Sequence, residues 1–554
     1  MILTGAQILA EELVCHNVDT VFGYPGGAVL DIYDELYKNA HRIKHVISAH
    51  EQGAAHAADG YARVTGKPGV VIATSGPGAT NLVTGIANAY LDSVPLIAIT
   101  GNVATSLLGK DSFQEVDIVG ITQPIVKHNY VVRKVEDLSD IIDEAFMLAS
   151  SGRKGPVLID IPKDIQKGRC EYAGGAAVRT GNYPMPCLDK ALDAILRCDR
   201  PYIYCGGGIL SAGAEKEILA LSQKLSAPIG LSMMGLSAVP SSYDLNLGMC
   251  GMHGKYAASV AQSKADLMIA AGVRFSDRAT GDISEYTKNC TVIHIDIDEA
   301  ELGKNISDII ELNGDAKQIL AGLLDAVPVK RNEAWLDAIA QDKKLDAASK
   351  DTVCFTPENI IHSVRAFLRD DTVIATDVGQ HQMWVMQHYA FERPRTLLTS
   401  GGLGTMGYGL GAAIGGCIAS GRMRTVLFTG DGSFGMNLNE LATAVSQKLP
   451  LMIILFNNGV LGMVRQWQGM FYEERYCSTT LERKTDFPAL AKAFGADGCT
   501  VSSLAELRDV LDGRLPQDMP FILDCKIDKD EKVFPMIPPG GSVKNIWMGK
   551  EVRG

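Results

Sequence analysis

Long apolar runs are missing from this 554-residue chain; none approaches the roughly 18 residues of a membrane span, so no membrane partner is expected. The first residues, MILTGAQILAEELVCHN, have no basic stretch ahead of an apolar one and place Glu11 and Glu12 where a signal peptide would be apolar. A cytoplasmic location is the expectation. Excess positive charge is lacking too: 52 Lys+Arg against 64 Asp+Glu give a formal charge of -12, which argues against a nucleic-acid partner. No CxxC pair occurs among the 12 cysteines, so reduced, mostly buried thiols are expected rather than a disulfide framework or a zinc site. Aromatic residues make up only 6% and charged ones 21%, against 46% hydrophobic, a balance that excludes disordered and fibrous chains. At about 150 residues per domain, three or four domains are expected.

Glycine, by contrast, is abundant, with 57 residues, as a protein of many strand-to-helix turns requires. The segment GVVIATSGPGATNLVTGIANAYLDSVPLIAITGN (69–102) reads strand, glycine turn, helix, strand, and RTVLFTGDGSFGMNLNELATAVSQKLPLMIILFNN (424–458) repeats it. Ser75 to Pro95 and Gly430 to Pro450 both span 20 positions, and Asn102 and Asn457 each fall seven residues after their proline. The runs VVIAT, PLIAIT, TVLFT and PLMIILF have the unbroken apolar character of parallel strands covered on both faces. Two βαβ units with glycine turns at the strand carboxyl ends could hold opposite ends of one ligand.

Between them, 202–208, 227–235, 265–275 and 290–298 are strand candidates of a third α/β module. Gly- and Pro-rich 168–186 and the polar, helix-prone 330–352 suggest the boundaries. The fold class is α/β, with three doubly wound parallel-sheet domains: 1–168, a central nucleotide-binding-like domain 187–330, and 353–535, followed by a tail 536–554. The first and third domains are related.

The turn Gly430-Asp431-Gly432-Ser433 follows a buried strand and opens a helix, so its amides, including those at Gly432 and Ser433, suit phosphate. A carboxylate beside a phosphate cradle is repulsive unless a cation intervenes, and Mg²⁺ accepts one or two protein oxygens with phosphates and water completing its shell. Asp431 is therefore a candidate metal ligand, with the amide oxygen of Asn458 and the backbone carbonyl of Val460 as partners. In the first domain, His50-Glu51-Gln52 follows the apolar VISA; a carboxylate at a buried strand end needs a partner or a chemical task. A structural turn at Asp431, and a helix-start glutamate satisfied by amides at Glu51, are the plainer alternatives.

GDG followed after a helix and a strand by NN resembles the thiamine diphosphate enzymes. FGYPGGAVLDIYD (22–34), AHEQGAAHAADGYAR (49–63), SFQEVDIVGIT (112–122), GPVLIDIPKDIQ (155–166), GMHG (251–254), GVRFSDRATG (272–281), GGLGTMGYGLGAAIG (401–415) and LGMVRQWQ (461–468) resemble, within them, the catalytic subunits of the acetohydroxyacid (acetolactate) synthases. The resemblance implies a reaction in which pyruvate is decarboxylated and its two-carbon fragment joined to a second pyruvate or to 2-ketobutyrate. It implies that the first domain binds the pyrimidine and the third the diphosphate and Mg²⁺. Glu51 is then the carboxyl that drives the cofactor's aminopyrimidine into its imino form. Gly27 and Gln114 lie near the reacting centre, Val378, Gly379, Gln380, His381, Gly404 and Met463 hold the cofactor, and Met406 bends it. Trp467, Met463 and Arg278 select the acceptor, Arg278 by a bidentate grip on a carboxylate, and Phe113, Val103 and Lys163 match further pocket positions. Met406 as core filler, Trp467 as interface packing and Arg278 paired with Asp277 are the alternatives.

The central domain lacks a full GxGxxG. Resemblance implies that it binds a structural FAD through Arg153, Gly207, Met252, His253, Gly272, Arg274, Asp296 and Asp315, although the family's RFDDR reads here Arg274-Phe275-Ser276-Asp277-Arg278, one carboxylate fewer. It also implies a homodimer or homotetramer, because the cofactor bridges two subunits, and a possible small regulatory subunit. A flavin-dependent pyruvate oxidase, a FAD-free catabolic acetolactate synthase and, from another class, a nicotinamide dehydrogenase or nucleotide-binding regulator are the rival readings.

Overall fold

In the computed structural model, which describes residues 1–175, 181, 183–347, 353–513 and 515–549, the unbroken apolar runs form the centres of three six-stranded parallel sheets. The first is ordered Lys44–Ile47, Thr20–Tyr24, Gly69–Ala73, Leu96–Asn102, Pro156–Pro162, His128–Val131. The third is ordered Leu397–Leu398, Val373–Thr376, Thr425–Gly430, Leu451–Asn457, Phe521–Lys526, Asp497–Val501. With strands numbered along the chain, both follow the order 2-1-3-4-6-5. In both, the helix after the third strand is broken in two, Pro77–Asn81 with Val83–Leu91 and Asp431–Asn437 with Glu440–Ser446. The repeat read from spacing is thus a repeat of topology.

The central sheet has the different order 3-2-1-4-5-6, that of dinucleotide-binding folds. Four of its strands, Pro201–Cys205, Ile229–Leu231, Leu267–Ala271 and Thr291–Asp296, lie in the expected runs, and Asn246–Met249 and Ile309–Asn313 add the edges. The expected polar helix exists as Glu333–Ala347, and it buries Trp335 and Ile339 in the core of the central domain beside Met268 and Ala270. Parts of both boundary stretches, 176–180, 182 and 348–352, lie outside the described residues. None of the 12 cysteines is bridged, but fewer are buried than expected: Cys198, Cys205, Cys250, Cys417 and Cys525 are buried, whereas Cys15, Cys187, Cys354 and Cys477, outside the sheet strands, are exposed. Among the described residues no helix is long and apolar enough to cross a membrane.

The first and third domains meet along one pair of helices, Glu51–Thr65 and Tyr408–Ala419. Small residues allow backbone to touch backbone: a Cβ on Gly415 would stand 1.8 Å from the carbonyl oxygen of Ala57, and one on Gly60 2.3 Å from that of Ala412. Beside this seam, buried Asp59 accepts from Arg63 at 2.6 Å, Tyr408 at 2.7 Å and Asn88 at 3.2 Å. Arg63 also reaches Asp92 at 2.8 Å, and Asp92 in turn takes the backbone N–H groups of Gly401 and Gly402. Removing one partner of such a buried network costs about 3–5 kcal/mol, so the two domains are fixed in one relative placement.

Candidate active site

The carboxyl edges of the third sheet carry the phosphate turn. Asp431 opens the helix Asp431–Asn437 directly after the strand, and its Oδ2 accepts the N–H of Gly459 at 3.1 Å. Burial, aided by the nearby charge of Asp524, pushes its pKa up to about 6 against the pull of backbone donors. A divalent cation would favour the ionised form of a carboxylate so placed. Asn458 follows the next strand, and its side-chain oxygen accepts from Val460 N at 3.1 Å. Gln380 and His381 are buried beneath, with Gln380 Oε1 and His381 Nε2 unpartnered, and burial holds His381 neutral, its pKa lowered to about 3. Unpartnered polar atoms around a half-buried carboxylate and a helix start fit a diphosphate with its metal.

Asp377, which sequence reasoning missed, organises this floor. It is buried and accepts from Val378 N at 3.0 Å and Gly407 N at 2.8 Å, while buried Ser433 lies within 3.4 Å of Gly407 N. The expected residues Val378, Gly379, Gly404, Met406 and Met463 line a cavity of about 1530 Å³. The same cavity is lined by Arg153, Gly207, Met252, His253, Gly272, Arg274, Asp296 and Asp315, all eight of the positions expected around a flavin, and by Ser276.

Several features of that end fit a dinucleotide. Gly272 has φ +60°, and a Cβ there would stand 2.5 Å from Gly208 Cα, so the ends of the first and fourth strands approach as only glycines permit. His253 is buried with Nδ1 unpartnered, and burial pushes Asp296 up to about 6. Arg153, at the rim, pairs with Glu301 at 2.7 Å and Asp298 at 3.2 Å.

The acceptor pair is brought together: the Arg278 guanidinium lies 5.7 Å from the Trp467 ring centroid, and both line the cavity. Arg278 also stands 3.8 Å from Asp277, but both side chains are more than half exposed, so that contact is weak. Trp467 packs edge-on to Phe471 at 5.3 Å, which stacks on Trp547 of the tail at 5.7 Å.

Apart from Arg153, the expected site residues of the first domain stand apart from this cavity. Glu51 is the first residue of its helix, half-buried, and accepts from Asn81 Nδ2 at 2.9 Å, so its partner is a side chain rather than the backbone amides of the plainer alternative. Lys163 Nζ donates to Gly27 O at 2.8 Å, and Val103 N to Asn102 at 2.8 Å. Phe113 is 88% exposed, and Gln114 beside it is exposed with φ +58°. None of Gly27, Glu51, Val103, Phe113, Gln114 and Lys163 lines the large cavity; Asp431 opens with Asn457, Gly459 and Asp524 on a second one of about 560 Å³.

Glu440 was also missed. It is 1% exposed and accepts the N–H groups of Ala49 at 3.2 Å and His50 at 2.9 Å, so the third domain holds the turn that delivers Glu51. No local signal marks it, because its partners are about 390 residues away.

Fold and site define the class of the thiamine diphosphate enzymes. Three family models match in order: "Thiamine pyrophosphate enzyme, N-terminal TPP binding domain" over 3–121, "central domain" over 188–323 and "C-terminal TPP binding domain" over 377–525. The chain is 41% identical to the acetolactate synthase large subunit of Buchnera aphidicola subsp. Schizaphis graminum, covering 99% of each protein. It is 44% identical to the acetolactate synthase isozyme 2 large subunit of Escherichia coli, covering 98% of each, and 45% identical to the acetolactate synthase of Arthrospira platensis, covering 97% of this chain and 96% of that protein. The chain belongs to the acetolactate synthase large-subunit family.

Proposed function

We propose that the chain is the catalytic subunit that decarboxylates pyruvate and transfers the two-carbon fragment to a second pyruvate or to 2-ketobutyrate, giving acetolactate or acetohydroxybutyrate for valine, leucine and isoleucine synthesis. The observation that carries this reading is one cavity lined both by Met406, Val378 and Gly404, the expected cofactor residues, and by the pair Arg278 and Trp467, a place for a carboxylate and an apolar chain. Thiamine diphosphate, when bound, supplies the nucleophilic carbon and the electron sink for loss of carbon dioxide. The protein's residues do the rest. Asp431, Asn458 and the Val460 carbonyl hold Mg²⁺, and Gly432, Ser433, Gln380 and His381 hold the diphosphate. Met406 would support the cofactor from below, and the Glu51 carboxyl would exchange a proton with its aminopyrimidine.

Arg278 orients the acceptor carboxylate, and the Trp467 face gives an added methyl group room, worth about 1–3 kcal/mol of discrimination. The largely apolar cavity keeps water from the reacting carbon. Arg153, Gly207, Met252, His253, Gly272, Arg274, Asp296 and Asp315 hold FAD as a structural group, since the reaction has no net redox change. A homodimer or homotetramer completes the site: Glu51 is not among the residues lining the cavity, and exposed Tyr24, Leu30, Ile47, Leu107, Phe113 and Ile121 give the first domain an apolar surface for a partner. The "large subunit" of the relatives' names implies a small regulatory subunit as well.

Glu51→Gln tests the reading. Turnover to acetolactate is expected to fall by about 10² or more, while calorimetric titration shows thiamine diphosphate bound within about threefold of the parent affinity. Retained turnover would remove the assigned role.

A further inference from the structure

The duplicated topology carries a side-chain pair to which the proposed site assigns no role. In each cofactor-binding half the fourth strand ends in asparagine, and the sixth strand places an aspartate two residues before the residue registered with that asparagine. Asn102 faces Pro162, with Asp160 two residues earlier, and Asn457 faces Lys526, with Asp524 two residues earlier. Both aspartates are 1% exposed. Asn102 Nδ2 donates to Asp160 at 2.6 Å and Asn457 Nδ2 to Asp524 at 2.8 Å. A threonine hydroxyl adds a second donor in each half, Thr100 at 2.7 Å and Thr500 at 3.2 Å, and Lys526 pairs with Asp524 at 2.8 Å.

The residue after the asparagine differs between the halves. In the first domain it is Val103, whose N–H is held by Asn102 Oδ1 at 2.8 Å. In the third it is Asn458, the candidate metal ligand. An apolar wall residue and a metal ligand share no chemistry, so a common ligand does not explain the retained pair. A common need to aim the chain where it leaves the sheet does. Burying a carboxylate is unfavourable unless it is well bonded, and an apolar pair would fill the same space more readily.

We propose that Asp160 and Asp524 are positioning residues, each acting through its asparagine to aim the strand end, Asp160 presenting Val103 to the keto-acid pocket and Asp524 presenting Asn458 to the divalent cation. The inference rests on the proposed metal and keto-acid site. Asp524→Asn is expected to weaken Mg²⁺ binding about tenfold, read by calorimetric titration of Mg²⁺ into protein with saturating thiamine diphosphate, while KM for pyruvate stays within about twofold. Asp160→Asn is expected to do the reverse, raising KM for pyruvate about tenfold with Mg²⁺ affinity unchanged. Combining Asn102→Asp with Asp160→Asn exchanges donor and acceptor, keeps the bond, and should return KM to within about threefold of the parent.

A merely structural role predicts lower Tm in both variants with both ligands affected alike, or neither; either result overturns the proposal, as does failure of the exchanged pair to recover. Asp431→Ala separates the two levels. If it weakens Mg²⁺ binding and Asp524→Asn does not, this inference fails alone; if Asp431→Ala leaves Mg²⁺ affinity unchanged, the metal reading falls and takes the Asp524 assignment with it.

Discussion

His56 lies fully buried in the seam between the two cofactor-binding halves, edge-on to Tyr408 at 5.2 Å, with Nδ1 unpartnered. Burial pushes its pKa down to about 4. The unfolded chain takes up this proton near pH 6.5 and the folded one only near 4, so unfolding is proton-consuming across that window. The stability that neutral His56 permits is complete above about pH 6.5 and is lost as pH falls toward 4. Between pH 7 and 5 this amounts to about 2 kcal/mol. His56→Gln should remove that part of the acid dependence, seen as a flatter loss of stability to denaturant at pH 5 relative to pH 7; an equal loss in both proteins would place the acid sensitivity elsewhere. Single residues were unevenly legible. Asp431 and Asn458 could be read because their motif is local in sequence. Asn102 and Asn457 could be seen as landmarks, but their partners Asp160 and Asp524 could not, since only strand register brings them together.

At the scale of elements, the helix pair Glu51–Thr65 and Tyr408–Ala419 sets how the two halves meet, and its closest contact leaves no room for a methyl group. Gly415→Ala is expected to destabilise the protein by about 1–3 kcal/mol through overpacking, whereas its higher helix propensity would return only about 1 kcal/mol. Thermal unfolding with far-UV detection checks the sign, and an unchanged or higher Tm would mean the helices can separate without loss. Elements with long apolar runs were legible because burial on both faces removes polar residues. Asn246–Met249, Ile309–Asn313 and Leu397–Leu398 were not, being short or at sheet edges, where half-exposure erases the pattern. The phosphate turn was legible as a turn, but the support from Asp377 and Glu440 was not, because both act across folded distances.

For the whole molecule, the separation of Glu51 from the cavity lined by Met406 and Arg278 makes a mixing experiment decisive. With the proposed site shared between two subunits of a dimer, the Glu51→Gln and Asp431→Ala proteins should each be nearly inactive. Dissociated and reassociated together, they should regain roughly a quarter of parent activity, because half of the dimers are then mixed and each mixed dimer has one site with both residues intact. No recovery, with mixed dimers verified by mass, would place both residues of a site in one chain. The proposed flavin positions and the acceptor pair line one cavity of about 1530 Å³, with Gly207 and Trp467 both among its walls. A ligand built from two weak fragments, one for each group of residues, could therefore be joined within that one cavity. Once the first fragment docks, the second sees an effective concentration near millimolar, so tethering them should multiply affinity with no new contact. Tether length, rather than the strength of either fragment, becomes the variable to tune.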